Sequence, residues 1–271
     1  DAVTETADTV FGDLGLRGAV DNQIDVLVGG PPCQAFARVG RAKLREQARL
    51  REEVTADQAF LVDGRVSLWE RYVAFIRATR PVVLLMENVP DILNHGGTNV
   101  AELVSKSLAE EGYDVAYTLL NSVWYGVPQM RERMILVGFH RSTGIKPRFP
   151  VPTHHLVLPS GYTSSKNAAR RVIKAEGSAH HRWIPDPTPD SPTATSASDA
   201  LADLPHLDAK EMLRTGAIRR GAKNPSEPVD YTTRKPATAY SRLMREWHGF
   251  ATKATTGHVF RYLPRDYKIF A

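Results

Sequence analysis

The sequence predicts an α/β protein followed by an irregular, basic region, and three observations lead there. Short runs of β-forming apolar residues alternate with amphipathic helical stretches as far as Phe139. The first of those runs stops at a Gly-Gly-Pro-Pro sequence and the second at a polar motif. Beyond Phe139 the alternation dissolves. Twelve of the 18 prolines fall between Pro147 and Pro236, which removes backbone donors too often for long regular elements.

The elements follow in order. Ile24 to Val28 (IDVLV) is a short apolar run that reads as a buried strand. From Ser67 to Thr79, the residues Leu68, Tyr72, Phe75 and Ile76 share one helical face. Pro81 breaks that helix, and Val82 to Met86 (VVLLM) forms a second strand. Val100, Leu103, Val104 and Leu108 stripe the next helix, which closes near Gly112. Tyr113 to Leu120 and Met134 to Phe139 are two further strands. The pattern predicts a sheet with helices on its faces. The stretch IPDPTPDSPTATSASD (Ile184 to Asp199) reads as a loop or linker, and no internal repeat is present. The proline-rich composition places a boundary near residues 140–150, giving regions 1–145 and 146–271.

Composition bounds the function classes. With 271 residues, 42% hydrophobic and 24% charged, the chain can bury a sizeable core. No apolar run approaches the roughly 20 residues that cross a bilayer, so no membrane partner is expected. Asp1 to Thr9 is acidic and polar, unlike a secretory signal. The single cysteine excludes an internal disulfide and fits a reducing cytoplasm. Net charge is +5, but residues 1–140 hold 14 Lys and Arg against 19 Asp and Glu, and residues 141–271 hold 21 against 11. An acidic half followed by a basic half suits a polyanion-facing module joined to a separate fold, although basic surfaces also serve solubility.

Three segments carry chemistry. In VGGPPCQAF (Val28 to Phe36) a strand ends, two glycines allow a tight turn, and Cys33 follows two prolines. Ligands gather beyond the carboxyl ends of strands in open α/β sheets, so Cys33 stands where a nucleophile is expected. A cysteine is often only a small buried hydrophobe; the context after a strand reverses that preference. In LLMENVPDIL (Leu84 to Leu93), Glu87 also follows a strand directly and should emerge on the same edge. It can donate a proton or hydrogen bond there, or merely cap the next helix. Asn88 beside it can hold neighbouring loops through its amide. In GVPQMRERMILVGF (Gly126 to Phe139), Arg131 and Arg133 project to one side if the backbone is extended. Such a pair suits a carbonyl oxygen and a phosphate, although Arg-x-Arg also marks solvated edges.

Together these segments resemble the cytosine-C5 DNA methyltransferase family, which carries Pro-Cys-Gln, Glu-Asn-Val and Gln-x-Arg-x-Arg in this order. Here they stand as Pro32-Cys33-Gln34, Glu87-Asn88-Val89 and Gln129 to Arg133, covering about residues 10–140. The resemblance implies a Rossmann-like S-adenosylmethionine-dependent sheet, present in part, then a basic target-recognition region. It implies that the Cys33 thiolate attacks C6 of a cytosine rotated out of duplex DNA. Glu87 would contact N3 and the exocyclic amine, Arg133 the base O2 and Arg131 a phosphate, with Gln129 as a support. FGDLG (Phe11 to Gly15) resembles the family's Gly-Asp segment, assigning Asp13 to the adenine amine of S-adenosylmethionine and Leu14 to its ring. Pro32 and Leu68 match positions lining the methionine side. The family's mobile loop follows Cys33, so Gln34, Arg38 and Arg41 are DNA-contact candidates; from Arg41 to Val54 the run also reads as a charged surface helix.

The family's Phe-x-Gly-x-Gly motif is not found in the sequence, nor are its closing motifs. They are expected upstream of Asp1 and after Ala271, so the chain is expected to be an interior piece of a longer polypeptide. Lys166, Arg170, Arg171, Lys174, Arg219, Arg220 and Lys223 are groove or phosphate candidates. The adjacent pairs His154-His155 and His180-His181 should diverge, and with one cysteine no metal site is expected. Trp183, Trp247 and Tyr240 read as packing residues. The reading is thus a DNA methyltransferase in a bacterial cytoplasm, associated with the nucleoid and serving restriction-modification or phage defence. The alternatives are a transfer-RNA cytosine methyltransferase and a non-catalytic DNA-binding relative.

Overall fold

A computed structural model of the chain describes residues 6–15, 17–31, 68–95, 98–159, 167, 170–174, 177–217, 228–249 and 253–255. They fall into two compact units, one of Asp1–Gly126 with Met130–Thr193, the other of Val127–Gln129 with Ala194–Ala271.

In the first unit, helix α1 (Ala7–Asp13) precedes strand β1 (Val26–Gly29), helix α2 (Leu68–Thr79), strand β2 (Val83–Asn88) and helix α3 (Val100–Glu110). With strands β3 (Tyr113–Asn121) and β4 (Glu132–His140), the described residues form a four-stranded sheet of order β1-β2-β4-β3. β1 and β2 are parallel, as a connection long enough to hold a helix permits. β4 is antiparallel to both β2 and β3. Among the described residues each expected strand and helix of this half is present, with ends moved by no more than two residues, while the helix read for Arg41 to Val54 lies outside them. Asn99 caps α3 through its side chain, and Gly112, at φ 95°, turns the chain out of the helix into β3.

The core follows from period-two alternation on the strands and the apolar stripes of α2 and α3. Leu84, Met86, Met134, Leu136, Val115 and Tyr117 from the sheet pack with Val73, Ile76, Val104 and Leu108 from the helices. α1 packs through Phe11 against Phe75 and Ala78 on α2. Among the described residues, α2 and α3 share one face, while Val26 and Val28 on the other are 56% and 69% exposed.

Residues beyond 145 fold back onto the sheet, so the spatial boundary falls after Thr193, later than proline density alone suggests. His180 accepts from the Tyr117 N–H at 3.0 Å, Arg182 donates to the Tyr117 carbonyl at 2.9 Å, and Thr118 Oγ1 donates to the Arg182 carbonyl at 2.7 Å. A proline-rich segment can still lend a few residues to a sheet edge where its own N–H groups are intact.

Among the described residues of the second unit, three short helices, α4 (Ala197–Leu201), α5 (Ala209–Arg214) and α6 (Ala239–Arg245), each begin at a side-chain cap. Ser196 with Asp199 and Thr238 with Ser241 form reciprocal capping boxes. Arg245 is buried and pairs with Asp203 at 2.8 Å, donates to the Thr233 and Arg234 carbonyls, and lies 4.1 Å from the Tyr231 ring centre.

Candidate active site

The carboxyl end of β2 gathers the motifs. Glu87 lies opposite Ile135 of β4, on the face turned away from α2 and α3. Arg133 lies one pleat further along the same face of β4, which brings it within reach of Glu87. Its Nε donates to Glu87 Oε1 at 2.6 Å, with the side chains 25% and 41% exposed. Arg133 Nη1 also donates to the Glu132 carbonyl at 2.6 Å, so the guanidinium is held at two points. The other carboxylate oxygen of Glu87 faces the chain leaving β1: a Cβ at Gly30 would lie 3.6 Å from Oε2. One carboxylate therefore sits between an arginine on β4 and the backbone that leads to Cys33.

Asn88 ties these segments together. Its Nδ2 donates to the Pro31 carbonyl at 3.1 Å and its Oδ1 accepts from the Val89 N–H at 2.9 Å. Glu87 and Asn88 thus divide two tasks, because neighbouring strand residues face opposite ways. Asn88 is buried and fixes the loop, whereas Glu87 is presented on the other side. The two glycines do not serve the turn as expected, since neither has a positive φ. At Gly29 the reason is space: a Cβ would lie 2.5 Å from Tyr72 Cε2, and that ring is anchored by its hydroxyl to the Leu85 carbonyl at 3.0 Å.

Arg131 precedes β4 and is exposed, while Glu132, between the two arginines, is buried. This is the alternation expected of an extended Arg-x-Arg. Gln129 is exposed, and its N–H bonds the Val127 carbonyl at 2.7 Å. Asp13 ends α1 and Leu14 caps it; both are exposed, Leu14 by 68%. No hydrogen bond or ion pair among the described residues links them to Glu87 or Arg133. Leu68 is buried at the first position of α2. Pro32, Cys33, Gln34, Arg38, Arg41, Lys166, Arg219, Arg220 and Lys223 lie outside the described residues.

Some assignments change. Trp183 and Trp247 are not packed away: they are 52% and 58% exposed. Arg170, a groove candidate, lies over the Trp183 ring at 5.6 Å and 3.8 Å from Asp186, so its charge is engaged within the chain. Arg171 and Lys174 are exposed. His180 and His181 diverge, His180 to Glu102 at 2.9 Å and His181 edge-on to Tyr117 and Trp183. Burial, with help from Arg182 and Arg170 and opposition from Glu102, pushes the His181 pKa down to about 4. The described residues contain no group of three or more His, Cys, Asp or Glu suited to a metal. Nor do they contain a helix long and apolar enough to cross a membrane. Asn121, the last residue of β3, is a further candidate that none of the three motifs contains. Its signal was an Asn at the end of an apolar run, the signature of a side chain that caps the following turn.

The sheet and the Glu87–Arg133 pair define an α/β protein with a polar site at its strand ends, and comparison with known proteins gives the family. Residues 7–245 match the C-5 cytosine-specific DNA methylase family. The chain belongs to that family, and its sheet is accordingly the S-adenosylmethionine-dependent methyltransferase fold. M.OihORF3336P of Oceanobacillus iheyensis, assigned by name to the type II methyltransferases, is 30% identical over 251 residues, which is 90% of this chain and 50% of that protein. The type II methyltransferase M.AgeI of Thalassovita gelatinovora is 30% identical over 229 residues, 84% of this chain and 43% of that protein. The chain spans half or less of the length of these relatives.

Proposed function

We propose that the protein carrying this chain transfers a methyl group to C5 of a cytosine in duplex DNA. The observation that supports this reading best is the Glu87 carboxylate, set between Arg133 at 2.6 Å and the Gly30–Pro31 backbone that Asn88 tethers. Three segments remote in sequence converge there, as an enzyme that must grip one pyrimidine from several sides requires.

In this reading the Cys33 thiolate adds to C6 of the cytosine and the ring electrons move towards C5. Glu87 hydrogen-bonds N3 and the exocyclic amine, which favours that addition, and Arg133 holds O2. S-adenosylmethionine supplies the methyl group that C5 takes up. A base then removes the C5 proton, and Cys33 leaves C6. The cytosine must leave the stack, since C6 is unreachable inside it; unstacking costs about a few kcal/mol. Asp13 and Leu14 fit the adenine end of the donor: one offers an exposed carboxylate to an amine, the other an exposed apolar face to a ring. Pro32 and Leu68 are assigned to its methionine end. Arg131 meets a phosphate, Gln34, Arg38 and Arg41 meet DNA beside the flipped base, and residues 146–271 begin target recognition. The setting is the bacterial cytoplasm, in restriction-modification or phage defence.

The test is transfer of labelled methyl groups by the intact protein to duplex DNA and, separately, to transfer RNA. Label at cytosine C5 of DNA, abolished by Cys33→Ser and strongly reduced by Glu87→Gln with DNA affinity nearly unchanged, is the expected result. Label in transfer RNA alone, or transfer undiminished by Cys33→Ser, would overturn the reading.

A further inference from the structure

Arg131 stands outside β4, so the strand ladder does not by itself fix it. Something else must hold a residue that is to meet a phosphate at a set position. Asn121 does so from across the sheet. It ends β3, lies opposite Glu132, and is 1% exposed. Its Oδ1 accepts from the Arg131 N–H at 3.2 Å and from the Val123 N–H at 3.3 Å. The Ser122 N–H donates to the Arg131 carbonyl at 3.1 Å. Both backbone polar groups of Arg131 are therefore held at the neck of the β3–β4 connection, one of them by a buried side chain.

We propose that Asn121 is a positioning residue, which fixes the backbone of Arg131 so that its guanidinium meets a DNA phosphate; this rests on the phosphate role given to Arg131 above. Two features support a positioning role over simple packing. The bond is made to the backbone of the arginine whose side chain is exposed, so the anchor leaves the guanidinium available. The same oxygen also starts the 3₁₀ turn Ser122–Tyr125, so one atom sets both the exit of the connection from β3 and its return to β4. The return matters because a slip of one residue would carry Arg133 to the opposite face of the sheet, away from Glu87. Only a side chain with an acceptor at this reach can serve. Aspartate keeps that oxygen, serine offers a shorter one, and alanine has none.

The experiment is DNA affinity of the intact protein measured across salt concentrations. Replacing Arg131 by alanine should lower affinity and reduce the slope of log affinity against log salt by about one. Asn121→Ala should lower affinity about tenfold and reduce the slope by a similar amount. Asn121→Asp should recover most of both, and Asn121→Ser should fall between them and serves where the alanine variant does not fold. In an Arg131→Ala background, Asn121→Ala should cost less than a further twofold. An unchanged slope in Asn121→Ala, or losses that simply multiply in the double variant, would make Asn121 a packing residue and overturn this inference alone. An Arg131→Ala variant with unaltered affinity and slope would overturn both this inference and the phosphate role of Arg131.

Discussion

The two units are held together by different physics. In the first, 24 of the described apolar residues, from Ala7 to Ile173, are buried, and most form one cluster between the sheet and two helices. In the second, no described apolar residue is fully buried; the buried groups are Asp203, Ser241, Arg245 and Thr255. Leu201, Leu243, Met244 and Trp247 are all exposed by more than 40%. The first unit is thus cohesive because many side chains leave water together. Among the described residues of the second, caps and one buried ion pair stand out instead. An apolar interior spreads its stability over many contacts, and losing one weakens it. A single charged node concentrates stability in a few bonds, and losing one partner strands the other.

The largest effect should come from that node. Arg245→Met leaves Asp203 buried without its partner and releases the carbonyls of Thr233 and Arg234, at a cost of about 3–5 kcal/mol. Hydrogen exchange over residues 228–249 should accelerate, while residues 113–140 stay protected. Adding Asp203→Leu should restore much of the protection, since two apolar residues can replace a buried pair. Uniform acceleration in both regions would show that the node is not local.

In the first unit, Met86→Ala removes a side chain with no exposure. It should cost about 2–5 kcal/mol, read as a lower urea midpoint for the sheet. A loss below about 1 kcal/mol would mean that the cluster can collapse around the cavity.

The segment after residue 146 lies between these extremes and carries a pH dependence. Folded His181 stays neutral down to about pH 4, because burial disfavours its charged form. The unfolded side chain takes up a proton below about pH 6.5. Stability from this group is therefore complete above about pH 6.5 and is lost as pH falls from there to about 4, by up to roughly 3 kcal/mol. Comparing denaturation midpoints of the parent and His181→Phe across pH 4–7 isolates that loss. The parent should lose more, and parallel curves would place His181 in a more polar setting than its contacts with Tyr117 and Trp183 indicate.

The same contrast explains what the sequence could reveal. The elements of residues 68–140 were legible because their pattern is local: apolar residues at helical or strand spacing declare which face is buried. Glu87, Arg131 and Arg133 were legible because each sits at a strand edge, in a motif the family carries. The later contacts were not legible. Glu102 meets His180 and Asn99 meets Ser178 through pairings about 80 residues apart, which no local spacing encodes. Asn121 was missed because its partner, Arg131, was read for its side chain and not for its backbone N–H.

The central claim is that Cys33 attacks the base which Glu87 and Arg133 hold. Incubating the intact protein and its methyl donor with duplex DNA containing 5-fluorocytosine tests it most directly, because fluorine at C5 blocks the final proton loss and preserves the bond to C6. The account predicts a stable protein–DNA adduct mapped by mass spectrometry to the peptide bearing Cys33 and abolished by Cys33→Ser. No adduct with the parent protein, or one that survives Cys33→Ser, would contradict it.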